Sequence, residues 1–210
     1  MLSPTERTRL ARLLGAHEPA DDREAADLAR TLAFCERHAN PFDRAIAEGH
    51  LTGSAFVLDP AGRLLLTHHL RLDIWVQLGG HSDGERVAHE VAMREAREES
   101  GLQDLAFHDA LLFDDGTPRL LDLDVHRIPA RGSEPAHDHL DLRFLLTTRT
   151  PDAIVADPSE TKALEWVTLD EAQRRGDAGM RRAVGRKAIG FLRPQSRFVF
   201  QCALVHSAAG

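Results

Sequence analysis

The 210-residue chain has no tyrosine, two tryptophans and only two cysteines. Cys35 and Cys202 stand far apart and without metal-ligand spacing, which leaves no disulfide framework and no cysteine-built zinc site. Both are expected as small core residues in a reduced, cytoplasmic setting. No apolar run approaches the roughly 20 residues of a membrane span, and the opening MLSPTERTRL lacks the apolar core of a signal peptide. A soluble chain with no membrane partner is the expectation. No block of five or more like charges appears, and the net charge is −7. A general nucleic-acid binder draws its affinity from neutralised phosphates, so nucleic acid is not an expected partner. Internal repeats and low-complexity tracts are also missing.

The length suits one sizeable domain with appendages, or two small ones. Ser3-Pro4-Thr5-Glu6 is a capping box with proline at the first helical position, opening a helix to about Leu14. Asp21 and Glu24 repeat the box for a helix to about His38, with Leu28, Leu32 and Cys35 on one stripe. Asn40-Pro41 caps a short third helix that Gly49 ends. From Leu51 the pattern turns β-rich, with Asp59-Pro60-Ala61-Gly62 as a hairpin signal between LTGSAFVLD and RLLLTHH. IWVQL then leads into Gly79-Gly80, and a helix follows from about Glu85 to Ser100, ended by Gly101. Further strands are predicted near 104–113, 119–127 and 139–147 and in ALEWVT, with helices at LDEAQRR and 179–192. RFVFQCALV is strand-like. Strands flanked by helices predict an α/β sandwich with a mixed sheet and a small helical N-terminal extension, divided at 1–50, 51–175 and 176–210.

The stretch REAREESG gathers Glu95, Glu98 and Glu99 on one face of the last helical turns. The helix dipole favours cations there, not carboxylates. A bound divalent ion offsets the repulsion. Hard ions such as Mg²⁺ take oxygen ligands in near-octahedral array, from carboxylates and substrate phosphates. A glycine turn that exposes a carbonyl beside three glutamates supplies that chemistry.

Residues 80–102 resemble the Nudix box, G-x5-E-x7-R-E-U-x-E-E-x-G-U with U aliphatic. Gly80, Arg94, Glu95, Glu98, Glu99, Gly101 and Leu102 match, and Ala96 stands at the first aliphatic position. The first glutamate position holds Arg86, with Glu85 one residue early, and the loop GGHSDG resembles a GGH branch of the family in which Asp83 or Glu85 takes that role. The resemblance implies a Nudix-like α/β/α sandwich and a metal-dependent hydrolase that cleaves the pyrophosphate of a nucleoside diphosphate linked to another moiety. Mg²⁺ or Mn²⁺ is the implied cofactor. Glu98, Glu99 and the Gly79 carbonyl are the implied ligands, Glu95 is a ligand or a partner behind one, Arg94 orients a glutamate, and Glu160 in a late loop is a further carboxylate, ligand or base.

HDHLDLRF places His137, His139, Asp141 and Arg143 on one face of a strand. That face is either solvated or turned to the active site, where His139, Asp141 and Arg143, with His81, grip substrate; His68 and His69 lie near. A transition-metal site of these histidines is a minor alternative, since imidazole suits zinc, iron and nickel but no compact ligand motif is present. RRAVGRK at 181–187 reads as a solvated helix face or an anion contact, and Trp75 as core. Arg86 motivates a second reading, a non-catalytic nucleotide-binding regulator. An isoprenoid diphosphate isomerase ranks lower, because neither cysteine lies near a motif. The absent tyrosine removes one mark of diadenosine-polyphosphate hydrolases, and neither LLTHH nor Pro118 fits a subfamily mark. The N-terminal helices could cap the sheet, cover the cleft or form a homodimer contact.

Overall fold

The computed structural model describes residues 1–70, 73–132, 134–159, 161–188 and 190. Two helices open it, α1 (Pro4–Gly15) and α2 (Asp22–Arg37). In α1 the capping box is complete: Ser3 Oγ accepts from the Glu6 amide at 3.3 Å while the Glu6 carboxylate accepts from the Ser3 amide at 2.5 Å. In α2 only half of it forms. Asp21 accepts from the Glu24 amide, but Glu24 turns inward. The face α2 buries is Glu24, Thr31 and Phe34, and Leu32 is left 38% exposed. The predicted apolar stripe is therefore corrected: Leu28 and Cys35 flank the core and Leu32 leaves it.

No third helix forms over residues 41–48. Three successive turns, in which Asp43, Ile46 and Gly49 donate to Asn40, Asp43 and Ile46, replace it, and the Asp43 carboxylate takes the Ala45 amide. A short side chain that bonds its own backbone competes with helix.

Among the described residues one mixed eight-stranded sheet follows: β1 (Gly49–Leu58), β2 (Leu64–His69), β3 (Trp75–Val76), β4 (Leu78–His81), β5 (Ala106–Phe107), β6 (Asp122–Ile128), β7 (His137–Thr147) and β8 (Thr161–Val167). The β1–β2 hairpin closes on Asp59, whose Oδ1 accepts from Ala61 and Arg63, with Gly62 at φ 76°. At the sheet's centre β1 and β7 run parallel over ten paired positions, from Gly49↔Asp138 to Leu58↔Thr147. The predicted strand at 104–113 shrinks to β5. His108 Nδ1 then accepts from the Ala110 amide and starts a 3₁₀ turn, Asp109–Leu111.

Alternation along the central strands sorts the core into two layers. Ala55, Val57, Leu142, Phe144 and Leu146 face α3 (Ala88–Ser100), through Ala88, Ala92 and Ala96. The same cluster takes in Leu10, Leu13, Leu14 and Phe34 from the N-terminal helices. Phe56, Leu58, Leu64, Leu66 and Leu145 face the other way, onto α4 (Leu169–Arg175), α5 (Ala178–Arg182) and a π-helical turn, Ala183–Ala188. Each wholly buried leucine or phenylalanine is worth about 1.5–3 kcal/mol. The result is an α/β/α sandwich. Among the described residues no helix is long and apolar enough to cross a membrane. Cys35 is part-buried against the core, and burial pushes its thiol up to about 12, so it is inert at neutral pH. Cys202, the strand-like RFVFQCALV and the end of the predicted 179–192 helix lie outside the described residues.

Candidate active site and imidazole cluster

Small residues let α3 lie close on the sheet. A Cβ added to Gly53 would come within 2.6 Å of the Ala88 carbonyl. α3 begins at Ala88 rather than at Glu85, because residues 82–85 close a loop instead. Ser82 Oγ donates to the Glu85 carbonyl, and the Glu85 carboxylate accepts from the Asp83 amide at 2.8 Å. Gly101, at φ 73°, ends the helix and donates to the Arg97 carbonyl.

Arg94 lies at the centre of the carboxylates. It donates from Nε to Glu85, from one terminal nitrogen to Glu98 at 2.7 Å and from the other to the His81 carbonyl at 2.7 Å, and it pairs with the charge of Glu95 at 3.0 Å. Burial works to lower the Arg94 pKa, but the hydrogen bonds to Glu85 and Glu98 and the charge of Glu95 raise it. Burial likewise works to raise the Glu85 carboxyl, and the Arg94 hydrogen bond holds it below the usual range. Arg86 faces elsewhere, donating to the Met1 carbonyl at 2.9 Å. Glu95 and Glu99 are buried and Glu98 is half-exposed. The glycine pair is fitted to them. Gly79, at φ 152°, donates its amide to Glu99 at 3.0 Å, and a Cβ on Gly80 would strike the Glu95 carboxylate at 2.6 Å. Glu160 lies outside the described residues.

The polar face of β7 is covered, not solvated. Arg143 is 2% exposed and divides its donors among Asp141 at 2.9 Å and Asp122 and Asp124 at 3.2 Å. Asp141 also accepts from Thr52, Ser54 and Gln77. Arg182 enters the same network, bonding Asp122, Asp124 and the Leu123 carbonyl, and Lys187 reaches Glu24 at 2.6 Å. Of the cations in RRAVGRK, Arg182 and Lys187 thus turn inward while Arg181 and Arg186 stay exposed, so its reading as a solvated face holds only in part. Three aspartates share two guanidiniums, and burial, only partly offset by Arg143 and Arg182, pushes Asp122 up to about 6.

Beside this network lie His50, His81, His126, His137 and His139. Burial first, and then neighbouring positive charge, pushes the His50 and His81 pKa values down to about 4 and that of His139 to about 2, so these rings are neutral at pH 7. Ligand nitrogens of His50, His137 and His139 stand within 4.8 Å of one another, a spacing that suits a metal ion. Sequence reasoning placed His81 and His139 here but missed His50 and His126. Both share a ladder rung with His139, and only strand register could reveal that. His68 is elsewhere, stacked on Trp75 and paired with Asp73.

The NUDIX domain family profile matches residues 50–186, and the chain belongs to that family. The fold is similar to that of a C. elegans Ap4A hydrolase solved as a binary complex, with 20% identity, a TM-score of 0.52, and coverage of 68% of this chain and 96% of that one. It is also similar to a MutT protein from Methanosarcina mazei Go1, at 15% identity and TM-score 0.52, covering 67% of this chain and 94% of that one. At such identities the likeness concerns the fold. No curated protein matches the chain. Membership in the family supports an enzymatic role in pyrophosphate hydrolysis in general.

Proposed function

We propose that the chain is a Mg²⁺- or Mn²⁺-dependent hydrolase of the GGH branch, cleaving the pyrophosphate of a nucleoside diphosphate linked to another moiety. The observation that carries this is the set of carboxylates gathered around Arg94 and fitted against Gly79-Gly80. The donors fit a hard divalent ion: Glu95, Glu98, Glu99 and the Gly79 carbonyl are all oxygen ligands. A bound ion supplies polarised phosphoryl oxygens and a lowered pKa for the attacking water.

The chain's own groups do the positioning. Arg94 holds Glu95 and Glu98 to one side of the turn, and the Gly79 amide fixes Glu99. Glu85, already bonded to Arg94, takes the role that the family pattern gives to the residue now replaced by Arg86. Asp141 and Arg143 hold β1, β6 and β7 together from inside rather than touching substrate. Residues 51–175 form the catalytic domain, with 1–50 its helical extension, and Glu160 is a further carboxylate for it, as ligand or base.

The test is a phosphate-release screen over nucleotide-linked diphosphates with Mg²⁺ or Mn²⁺. Replacing Glu98 or Glu99 by Gln is expected to lower kcat by about 10²-fold or more, the scale at which a lost electrostatic stabiliser acts. Equal rates for wild type and both variants would overturn the reading.

A further inference from the structure

Register brings histidines from four strands together. His126 of β6 pairs with His139 of β7, which pairs with His50 of β1, and His81 of β4 lies opposite Thr52, two residues along β1. The His50 ring centroid is 5.1 Å from those of His81 and His137 and 5.0 Å from that of His139. His50 is 2% exposed, yet neither of its ring nitrogens has a hydrogen-bond partner. Buried polar atoms in native proteins are nearly always paired, so this ring calls for a ligand.

The other nitrogens point the same way. His139 Nε2 is 3.1 Å from His81 Nε2 and 3.3 Å from His137 Nε2. A ring nitrogen offers one lone pair or one hydrogen, so it cannot fully satisfy both neighbours. His137 Nδ1 is 2.9 Å from the Pro135 carbonyl, an acceptor only. Nδ1 therefore carries a hydrogen, and Nε2 is the nitrogen turned to the cluster. Metal-bound imidazoles adopt this arrangement, with the far nitrogen donating to a carbonyl or carboxylate. Zinc–nitrogen bonds of about 2.0–2.1 Å in a tetrahedron set ligand nitrogens roughly 3.3–3.4 Å apart. The His137–His139 separation has that value and the His81–His139 separation is near it.

We propose that His50, His137 and His139, with His81 as the fourth ring, form a binding site for a divalent transition-metal ion of the zinc class. Four imidazoles select against Mg²⁺, which takes oxygen donors. The site is thus separate in chemistry from the glutamate cluster and does not depend on the hydrolase reading. Arg44 opposes a cation here, and Glu134 and Asp43 favour one; the Glu134 carboxylate is 3.9 Å from His137 Nε2. The ion's effect reaches the glycine turn through His81, whose carbonyl is held by Arg94. Binding would fasten that turn to β1 and β7.

The experiment strips the full chain with a chelator and titrates it with Zn²⁺ or Co²⁺ in a large excess of Mg²⁺. One Zn²⁺ per chain is expected to bind and to resist the Mg²⁺. Co²⁺ should give the intense visible bands of a four-coordinate nitrogen site. His50→Asn and His137→Gln, each checked for folding by circular dichroism, should weaken Zn²⁺ binding by about 100-fold or more, whereas Glu99→Gln should not. Wild type that takes up neither ion, or gives the pale spectrum of six-coordinate Co²⁺, would overturn the proposal without reference to any variant. Loss of Zn²⁺ in Glu99→Gln but in neither histidine variant would overturn it too.

Discussion

At Arg94 a single guanidinium meets four carboxylates and a backbone carbonyl, and two of the four come from outside the helix. Of these two, Asp83 stands at 3.9 Å and Glu85 is hydrogen-bonded. A change of Glu85 to Gln should slow turnover by about 10–100-fold, the usual loss when a group supporting a metal ligand is removed. Arg86→Ala, whose side chain turns away from these carboxylates to the Met1 carbonyl, should leave kcat near the wild-type rate. Steady-state kinetics in Mg²⁺ with the best substrate from the screen decide it, and the opposite order would show that Glu85 is no substitute. The spacing of Gly80, Arg94, Glu95, Glu98 and Glu99 could be read directly from the chain, because loop and helix are local structures. The offset from Arg86 to Glu85 could be read only as an ambiguity. Its resolution depends on residues 85–87 staying outside the helix, which is set by Ser82, Asp83 and Glu85 bonding one another.

Among the elements, α2 is tied to the sheet by a buried charge rather than by its apolar residues alone. Glu24 is wholly buried, with Lys187 at 2.6 Å, His17 at 2.8 Å and the amides of Ala20 and Leu123 at 2.6 and 3.1 Å. One carboxylate thus joins α2, β6 and the π-helical turn. Removing one partner of a buried ion pair leaves an uncompensated charge and typically costs about 3–5 kcal/mol. Glu24→Gln should lose that amount in urea unfolding, and a loss under about 1 kcal/mol would mark the contact as a surface-like pair. The helices with strong periodicity and caps, α1 and α3, were legible, as was the β1–β2 hairpin with its Asp59 turn. Glu24 was legible only as a cap, because a helix-local pattern cannot show that a glutamate turns inward to a lysine 163 residues away. The same limit hid the buried roles of Arg143 and Arg182, whose partners lie on other strands.

For the molecule as a whole, the buried charges set how stability follows pH. Burial acts to raise the carboxyls of Glu24 and Asp124, but hydrogen bonds, chiefly from His17 to the first and His126 to the second, hold both well below the usual range. A depressed carboxyl contributes stability above its unfolded pKa, here 4.5 and 3.8, and that contribution is lost as pH falls through and below those values. Asp122 has the opposite sign. Its contribution is complete below 3.8 and is lost as pH rises through about 6. The midpoint of thermal unfolding should therefore climb as pH rises from about 3 to about 4.5, fall as Asp122 ionises on the way to about 6, and level beyond. Calorimetry across that interval checks the shape; a flat profile below pH 5 would contradict it.

The long parallel match between β1 and β7 joins segments whose paired residues are 89 positions apart in the chain, as in Gly49 and Asp138. Partners so distant must find each other late, since closing a large loop is entropically unfavourable until the strands zip. During synthesis, β1 therefore emerges with its central hydrogen-bonding edge bare until some ninety further residues have followed. Nascent or truncated chains ending before His137 carry an open apolar edge of the kind that recruits strangers, so β1 is the segment around which unfinished copies should clump.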